Sequence, residues 1–482
     1  LKSVDQLRYQ ELWIMSDQDV DGYHIRSLLV NLFAVIFPQL LLQGPDTNSF
    51  IKIFATPIAK AFPQGKPDLW FLDTAALQHY LAKGHSHTFR SPVRYYKGLG
   101  TSTSKEGAEY FARADVLVRP VHLSQAKMND GRSGGASYLP PFLRTGTAKV
   151  PRELANLPLG LASFMFAFGK EWVHLRRLWV ADQSATVTAR TVVKHSPQRS
   201  LASNITIKEL LPEELFADAG LMPTEPITAL PTTPASDSTP PAPDHPSVRT
   251  SPDPMTEKEL VFRDMRRFAF YDLSRHLPCA IDGLTPASRK VVYALLQQAT
   301  SSGGAPTSLR VSQLVGMVAK NMYYHHGEAS MVGVCIHLAQ TFVGAAFGNT
   351  PLLTSEGQFG TRLHNGSDHA ASRYIYSTLS PLALQLFPPS HMLHLPQLRE
   401  DGEVTEPASL VPLIPLSLTR RSDCISVGFR LFIEARNPRE ILRRVAKRLN
   451  ESLPKHSRVG TNLTDQVGCK PSSELLPWYA GF

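Results

Sequence analysis

Cysteine is scarce in this sequence. Cys279, Cys335, Cys424 and Cys469 are the four in 482 residues, and no two stand in a Cys-x-x-Cys spacing. A zinc ribbon and a disulfide framework are thereby excluded as organising features, and a reducing compartment fits. No run of 18 apolar residues is free of charge, so no segment reads as a membrane span. There is no initiating Met either: the chain opens on Leu1. It therefore reads as a fragment, with any targeting peptide upstream. Neither sign of charge dominates, since 50 Lys+Arg face 41 Asp+Glu for a formal +9. That mild basic excess permits nucleic-acid binding through counterion release without requiring it. Apolar content of 43% is ordinary for globular protein, and the length suffices for three or four domains.

Against that background one stretch stands out, Trp13-Ile14-Met15-Ser16-Asp17-Gln18-Asp19-Val20-Asp21-Gly22. Leu12 to Met15 predicts a buried strand. In extended backbone Asp17, Asp19 and Asp21 would project to one side and repel unless a cation sat among them. Hard oxygen ligands of this kind suit Mg²⁺. Gly22 predicts a tight turn into a helix whose Ile25, Leu28, Leu29, Leu32, Phe33 and Ile36 recur at helical spacing and should pack on the strand. Arg26 and Lys97 are candidates to offset the acidic charge. An EF-hand loop would need Glu at its twelfth position, which here is Leu28, and a plain acidic turn is the bland alternative.

This stretch resembles the Toprim metal motif of type IIA DNA topoisomerases of the eukaryotic topoisomerase II kind. Tyr95-Tyr96-Lys97-Gly98-Leu99-Gly100-Thr101 resembles the same family's Tyr-Lys-Gly-Leu-Gly-Thr segment. After it, Ser104 to Phe111 reads as a helix capped by Ser102 or Ser104. Further on, Asp282-Gly283-Leu284-Thr285-Pro286-Ala287-Ser288-Arg289-Lys290-Val291, Tyr324-His325-His326-Gly327-Glu328, Gly357-Gln358-Phe359-Gly360-Thr361-Arg362 and Ala371-Ser372-Arg373-Tyr374-Ile375 follow in order. Each alone has a bland explanation as loop or surface. Together they resemble the cleavage domain of that family.

The resemblance implies the following roles. Tyr374 is the nucleophile and Arg373 its activator; His325 and His326 span the active-site histidine position. Asp17, Asp19 and Asp21 are metal ligands, with two Mg²⁺ per active site. Lys97, Arg289, Lys290 and Arg362 contact DNA. Ile425 falls at the family's intercalating isoleucine, an apolar wedge that kinks DNA; a core strand residue is the alternative. The implied activity is ATP-dependent double-strand cleavage through a 5′-phosphotyrosyl intermediate, strand passage and religation. The implied partners are double-stranded DNA and a second copy of the chain in a homodimer, with no membrane. ATP would bind outside this chain, and the address would be the nucleus, or a mitochondrion or other DNA-containing organelle. The chemistry is coherent on its own terms: a phenol with an ordinary pKa near 10 is a weak nucleophile at neutral pH, and an adjacent guanidinium and a metal would stabilise charge at the attacked phosphate.

The expected architecture is an α/β plus α+β multidomain chain. Residues 1–113 form a Toprim Rossmann-like domain and 114–220 a connector. Residues 221–256 are a flexible Pro/Ser/Thr-rich linker, with ten prolines between 221 and 254. Residues 257–400 form a winged-helix (helix-turn-helix) cleavage domain and 401–482 a partial tower domain. Asp423-Cys424 before Ile425, and Asn365 and Ser367 before the nucleophile, depart from the family pattern. The family's upstream Glu-Gly-Asp-Ser element, ATPase region and exit gate are missing. Two rival readings follow: a catalytically degenerate DNA-binding paralogue, and a Toprim nuclease or primase.

Overall fold

The computed structural model describes residues 7–42, 49–72, 74–82, 89–96, 98–126, 152–180, 227–228, 253–303, 306–392, 394–400, 403–452 and 474–481. Lys97, the Gly-Ser-rich stretch 128–137 and most of the linker lie outside these residues. The chain divides into two compact units, Leu1–Tyr271 and Asp272–Phe482. Among the described residues no helix is long and apolar enough to cross a membrane.

In the first unit, β1 (Leu12–Met15) is followed by α1 (Val20–Ile36) and by β2 (Ile51–Phe54), which pairs parallel to β1. Strand–helix–strand with parallel pairing is the βαβ arrangement, and it places the acidic loop at the carboxyl end of β1. β3 (Ala59–Pro63), β4 (Leu69–Phe71), α2 (Thr74–Ala82), β5 (Phe89–Tyr95), α3 (Ser104–Ala112) and β6 (Val118–Pro120) come next. β6 closes the first sheet antiparallel to β2, giving the order β1-β2-β6. A second sheet has the order β5-β3-β4-β7. Its edge strand β7 is Ile227–Thr228, which lies inside the stretch expected to be flexible and pairs with Trp70 and Leu69. An apolar helix after Pro158 is α4 (Leu159–Phe168). A π-helical segment, Lys258–Met265, runs into α5 (Arg266–His276).

Helix α1 corrects the expected packing. Ile25, Leu28, Leu29, Leu32 and Ile36 are exposed and Phe33 only half-buried, while Gly22, Tyr23, Arg26, Ser27 and Val30 are buried. The reason is polar: Ser27 Oγ donates to Leu260 O at 3.2 Å, and Arg26 forms its ion pair with Asp264. The face with hydrogen-bonding partners on Lys258–Met265 turned inward, and apolar periodicity alone could not register it.

The second unit is built on three helices, α6 (Pro286–Ser301), α7 (Val311–Asn321) and α8 (Glu328–Ala339), around one apolar core. α6 begins as its sequence dictates. Thr285 Oγ1 accepts from Ser288 N, and Pro286 sits at N1, where its missing N–H costs nothing. β8 (Leu309–Arg310) precedes α7 and pairs antiparallel with β9 (Tyr376–Ser377). Two hairpins follow, β10 (Gln397–Glu400) with β11 (Glu403–Pro407), and β12 (Ser422–Ser426) with β13 (Phe429–Ile433). Helix α9 (Pro438–Ser452) comes after them.

Candidate active-site residues

The acidic loop is not extended. Asp19 is the N-cap of α1, its Oδ1 accepting from Gly22 N at 2.7 Å, and Asp21 lies in the first turn of the helix. The alternation expected of Asp17, Asp19 and Asp21 is therefore absent. Among the described residues no three His, Cys, Asp or Glu side chains converge as a metal cage. Helix capping won over strand geometry because an Asp before Val-Asp-Gly satisfies an otherwise orphaned helix N–H. Gly22 lies within the helix rather than at a turn. A Cβ there would stand 2.0 Å from Asp17 O, so its role is to let the loop carbonyl pass.

The two motifs of the first unit meet at Asp17. A Cβ on Gly98 would stand 2.4 Å from the Asp17 carboxylate carbon, and Gly98 has φ +100°. Only glycine fits both the conformation and the approach. The flanks of this loop are pinned by one carboxylate. Tyr96 donates to Glu106 Oε1 at 2.6 Å, and Glu106 Oε2 accepts from Thr103 N and Oγ1, each at 2.8 Å. Thr103 is thus the cap of α3, in a reciprocal capping box, rather than Ser102 or Ser104. Burial, with Glu106 beside it, pushes the Tyr96 phenol far up, so it stays a hydrogen-bond donor.

A divalent cation fits the donor set in one form. Asp17 and Asp19 offer hard carboxylate oxygens, and the bare Gly98 lets the Asp17 carboxylate pack against it. With no three-carboxylate cage among the described residues, an ion here would be held by one or two carboxylates together with phosphate and water, the usual manner of Mg²⁺.

In the second unit Tyr374 is 67% exposed, and the Arg373 guanidinium carbon lies 4.7 Å from its ring centroid. Between the two exposed tyrosines, Ile375 is buried and its carbonyl accepts from Val311 N at 3.0 Å. That anchor fixes Tyr374 and Tyr376 outward. Tyr376 OH accepts from Arg310 Nε at 3.0 Å. The loop leading to Tyr374 is laced internally. The buried Gln340 donates through Nε2 to Phe359 O at 2.9 Å and Gly366 O at 3.2 Å. Asp368 accepts from Thr361 N and Oγ1, each at 2.7 Å, and these bonds hold its carboxyl below the usual range. Asn365, one of the departures from the family pattern, takes φ +50°, a conformation Asn tolerates better than most residues. Arg362 is exposed on this loop, and His325 and His326 are exposed on the α7–α8 loop.

Arg289 and Lys290 are placed otherwise than expected. Arg289 is 4% exposed and binds Asp282 through Nε at 2.6 Å and Nη2 at 3.3 Å. Asp282 also accepts from Leu284 N and Leu410 N, each at 2.9 Å. Lys290, 8% exposed, donates to Met322 O at 2.7 Å and pairs with Glu406 at 2.8 Å and Glu400 at 3.3 Å. Both are braces in this geometry, and the expected phosphate contact finds no support in it. Lys290 holds the start of the histidine loop instead. Asp282 was legible as the first letter of its motif; Gln340 carried no signal in the sequence.

Ile425 is 71% exposed on β12, opposite Arg430, which excludes the core alternative. Asp423, a departure from the family pattern, takes a bidentate bond from Arg430 at 3.0 and 3.1 Å.

These features define a protein with an acidic loop on one α/β unit and an exposed Arg-Tyr pair on a three-helix unit. The family of the A-type subunit of DNA gyrase/topoisomerase IV matches residues 275–479, and the C-terminal associated domain of TOPRIM matches residues 54–132. Over these residues the chain is similar to DNA topoisomerases of the gyrase/topoisomerase IV and topoisomerase 2 kind. It is 30% identical over 482 residues to DNA topoisomerase 2 of Arabidopsis thaliana, covering all of this chain and 25% of that protein. It is likewise 30% identical to the mitochondrial DNA topoisomerase 2 of Dictyostelium discoideum, covering all of this chain and 28% of that one. A crystal structure of the Plasmodium falciparum topoisomerase II DNA-binding, cleavage and re-ligation domain superposes with a TM-score of 0.63 at 25% identity, over all of this chain and 49% of that one. The chain thus spans about a quarter of the curated relatives it matches.

Proposed function

We propose that the chain is the DNA-cleavage region of an ATP-dependent DNA topoisomerase II, and that Tyr374 is its nucleophile. The observation that carries this is the pair Arg373–Tyr374: an exposed phenol, its neighbouring residue buried, with a guanidinium over its ring. Tyr374 Oη attacks a backbone phosphorus. The Oη–P bond forms and the P–O3′ bond breaks, leaving a 5′-phosphotyrosyl ester and a 3′-hydroxyl. The phenol proton passes to water and the departing 3′-oxygen takes one up. Arg373, and Arg362 on the same loop, stabilise charge on the attacked phosphate. The three-helix unit acts as a winged helix that presents this loop to the duplex, with Ile425 on β12 as the wedge. The α/β unit acts as a Toprim domain whose Asp17 and Asp19 would hold Mg²⁺ at a DNA phosphate, in the homodimer alongside the tyrosine of the other subunit. When bound, the ion supplies neutralisation of phosphate charge and steadies the leaving oxygen.

The parent protein would work as a homodimer on double-stranded DNA, hydrolyse ATP outside this chain, and reside in the nucleus or a DNA-containing organelle. Covalent trapping tests the proposal. Full-length parent protein incubated with duplex DNA and Mg²⁺, then quenched in detergent, should carry DNA attached at a 5′ end. Absence of any adduct would leave the degenerate DNA-binding paralogue, and cleavage without a phosphotyrosyl bond would leave the nuclease.

A further inference from the structure

The acidic loop is held by more than its helix cap. Gln18 sits between Asp17 and Asp19 and is itself buried. Its Oε1 accepts from Arg26 Nη1 at 3.1 Å, and its Nε2 donates to Phe54 O at 3.5 Å, at the end of β2. Arg26 is 2% exposed, its guanidinium 4.3 Å from the Tyr23 ring centroid, and its Nη2 pairs with Asp264. Asp264 lies 238 residues later, on the π-helical segment that follows the Pro-rich stretch. Its other oxygen accepts from Arg263 Nε at 2.7 Å. Arg263 reaches Glu259 at 3.2 Å, and Glu259 takes a bidentate bond from Arg119 of β6 at 3.0 and 3.0 Å. A continuous polar chain therefore runs from the sheet through Lys258–Met265 and back to the loop.

We propose that Arg26 and Gln18 are positioning residues for the cation-binding carboxylates, and that Asp264 sets their geometry. The inference rests on the reading of Asp17 and Asp19 as metal ligands. Burying Arg26 and Asp264 is expensive, and an apolar pair of similar volume commonly serves stability as well or better. What an apolar pair cannot do is deliver a second fixed N–H to Gln18. The planar fork of arginine grips Asp264 with one nitrogen and Gln18 with the other. Fixing the Gln18 side chain fixes the backbone on which Asp17 and Asp19 stand as immediate neighbours. Outer partners that orient metal ligands commonly change affinity tenfold to a hundredfold when removed.

The test uses the 482-residue chain with Mn²⁺ as the probe, bound ion being read by electron paramagnetic resonance with a short duplex present, and thermal unfolding measured alongside. Gln18→Met keeps the volume and the Arg26–Asp264 pair but removes the link. Arg26→Lys keeps the charge but loses the fork. Each should weaken Mn²⁺ binding about tenfold or more, and Asp264→Asn should do the same. Asp17→Ala should abolish binding. If Asp17→Ala removes the ion while Gln18→Met and Arg26→Lys bind it as the parent chain does, the metal reading stands and the positioning role falls. Should the parent chain bind no Mn²⁺, or Asp17→Ala bind it unchanged, both readings fall together. A Gln18→Met variant too unstable to assay leaves Arg26→Lys to decide by the same comparison.

Discussion

Replacing Arg289 with Ala separates a brace from a DNA contact. In the structure Arg289 is buried against Asp282, which is fully buried and also takes the Leu284 and Leu410 amides. Removing the guanidinium leaves Asp282 its two amide donors and the field of Arg420, but no ion pair. Breaking a buried pair from one side costs about 3–5 kcal/mol. The unit Asp272–Phe482 holds 211 residues, a size at which 1 kcal/mol moves Tm by roughly 2–4 °C. Arg289→Ala should therefore lower the Tm of this unit by about 6–20 °C. The salt dependence of DNA binding by the folded protein should not change, because no phosphate contact is lost. Differential scanning calorimetry and fluorescence anisotropy against salt concentration read the two quantities. Arg373→Ala is the counterpart: exposed, it should leave Tm nearly unchanged and reduce the salt slope by about one. An unshifted Tm in Arg289→Ala together with a shallower salt slope would show that the Asp282 pair opens to DNA and that the argument from burial is wrong.

Further outcomes follow from the same geometry. Tyr374→Phe should remove covalent adducts while DNA binding stays within a few fold, and Tyr376→Phe should keep the adducts; the reverse in a trapping assay moves the nucleophile to Tyr376. Ile425→Ala should reduce DNA bending, read by gel mobility of circularly permuted fragments, with a stability change within about 0.5 kcal/mol because the side chain is exposed; a loss of several times that amount would make it core. Gly98→Ala should abolish Mg²⁺-dependent cleavage, because its methyl displaces the Asp17 carboxylate; cleavage at the parent rate would disconnect Gly98 from the metal loop. Burial alone would raise the Asp264 carboxyl, but Arg263 and Arg26 outweigh it and hold it at about 2. With the folded value below the unfolded one near 3.9, its stabilisation of about 2 kcal/mol is present above pH 4 and lost between about pH 4 and pH 2. Acid titration of unfolding should therefore flatten in that window in Asp264→Asn, and an unaltered profile counts against the pair.

Local patterns were the legible part. The position of strand β1, though not the exposure of its Leu12 and Met15, and helix α3 could be read from apolar spacing and from the motif residues themselves. Helix α1 was legible as an element but not in its orientation, since Ile25, Leu28 and Leu32 advertise an inner face that Arg26, Ser27 and Asp264 overrule. Side chains that bond across long separations left no mark in the sequence: the partners of Arg26, Lys290 and Gln340 lie 238, 116 and 26 residues away. The family resemblance assigned Arg289 and Lys290 to DNA, and the carboxylates that bury them, Asp282 and Glu406, could not be paired with them from the sequence.

The Gln340 amide has a thermodynamic consequence. By tying Phe359 and Gly366 together, it closes the loop before Tyr374 when the unit folds, with Asp368 fastening the same loop to Thr361. The ordering entropy of that loop is then charged to folding and not to association with DNA. Calorimetric binding of a duplex should show a heat-capacity change set by the surface covered, without the excess that accompanies a segment condensing on its target. Loosening the tie, as in Gln340→Ala, would move that entropy into the binding step and make association more exothermic, weaker and slower at once.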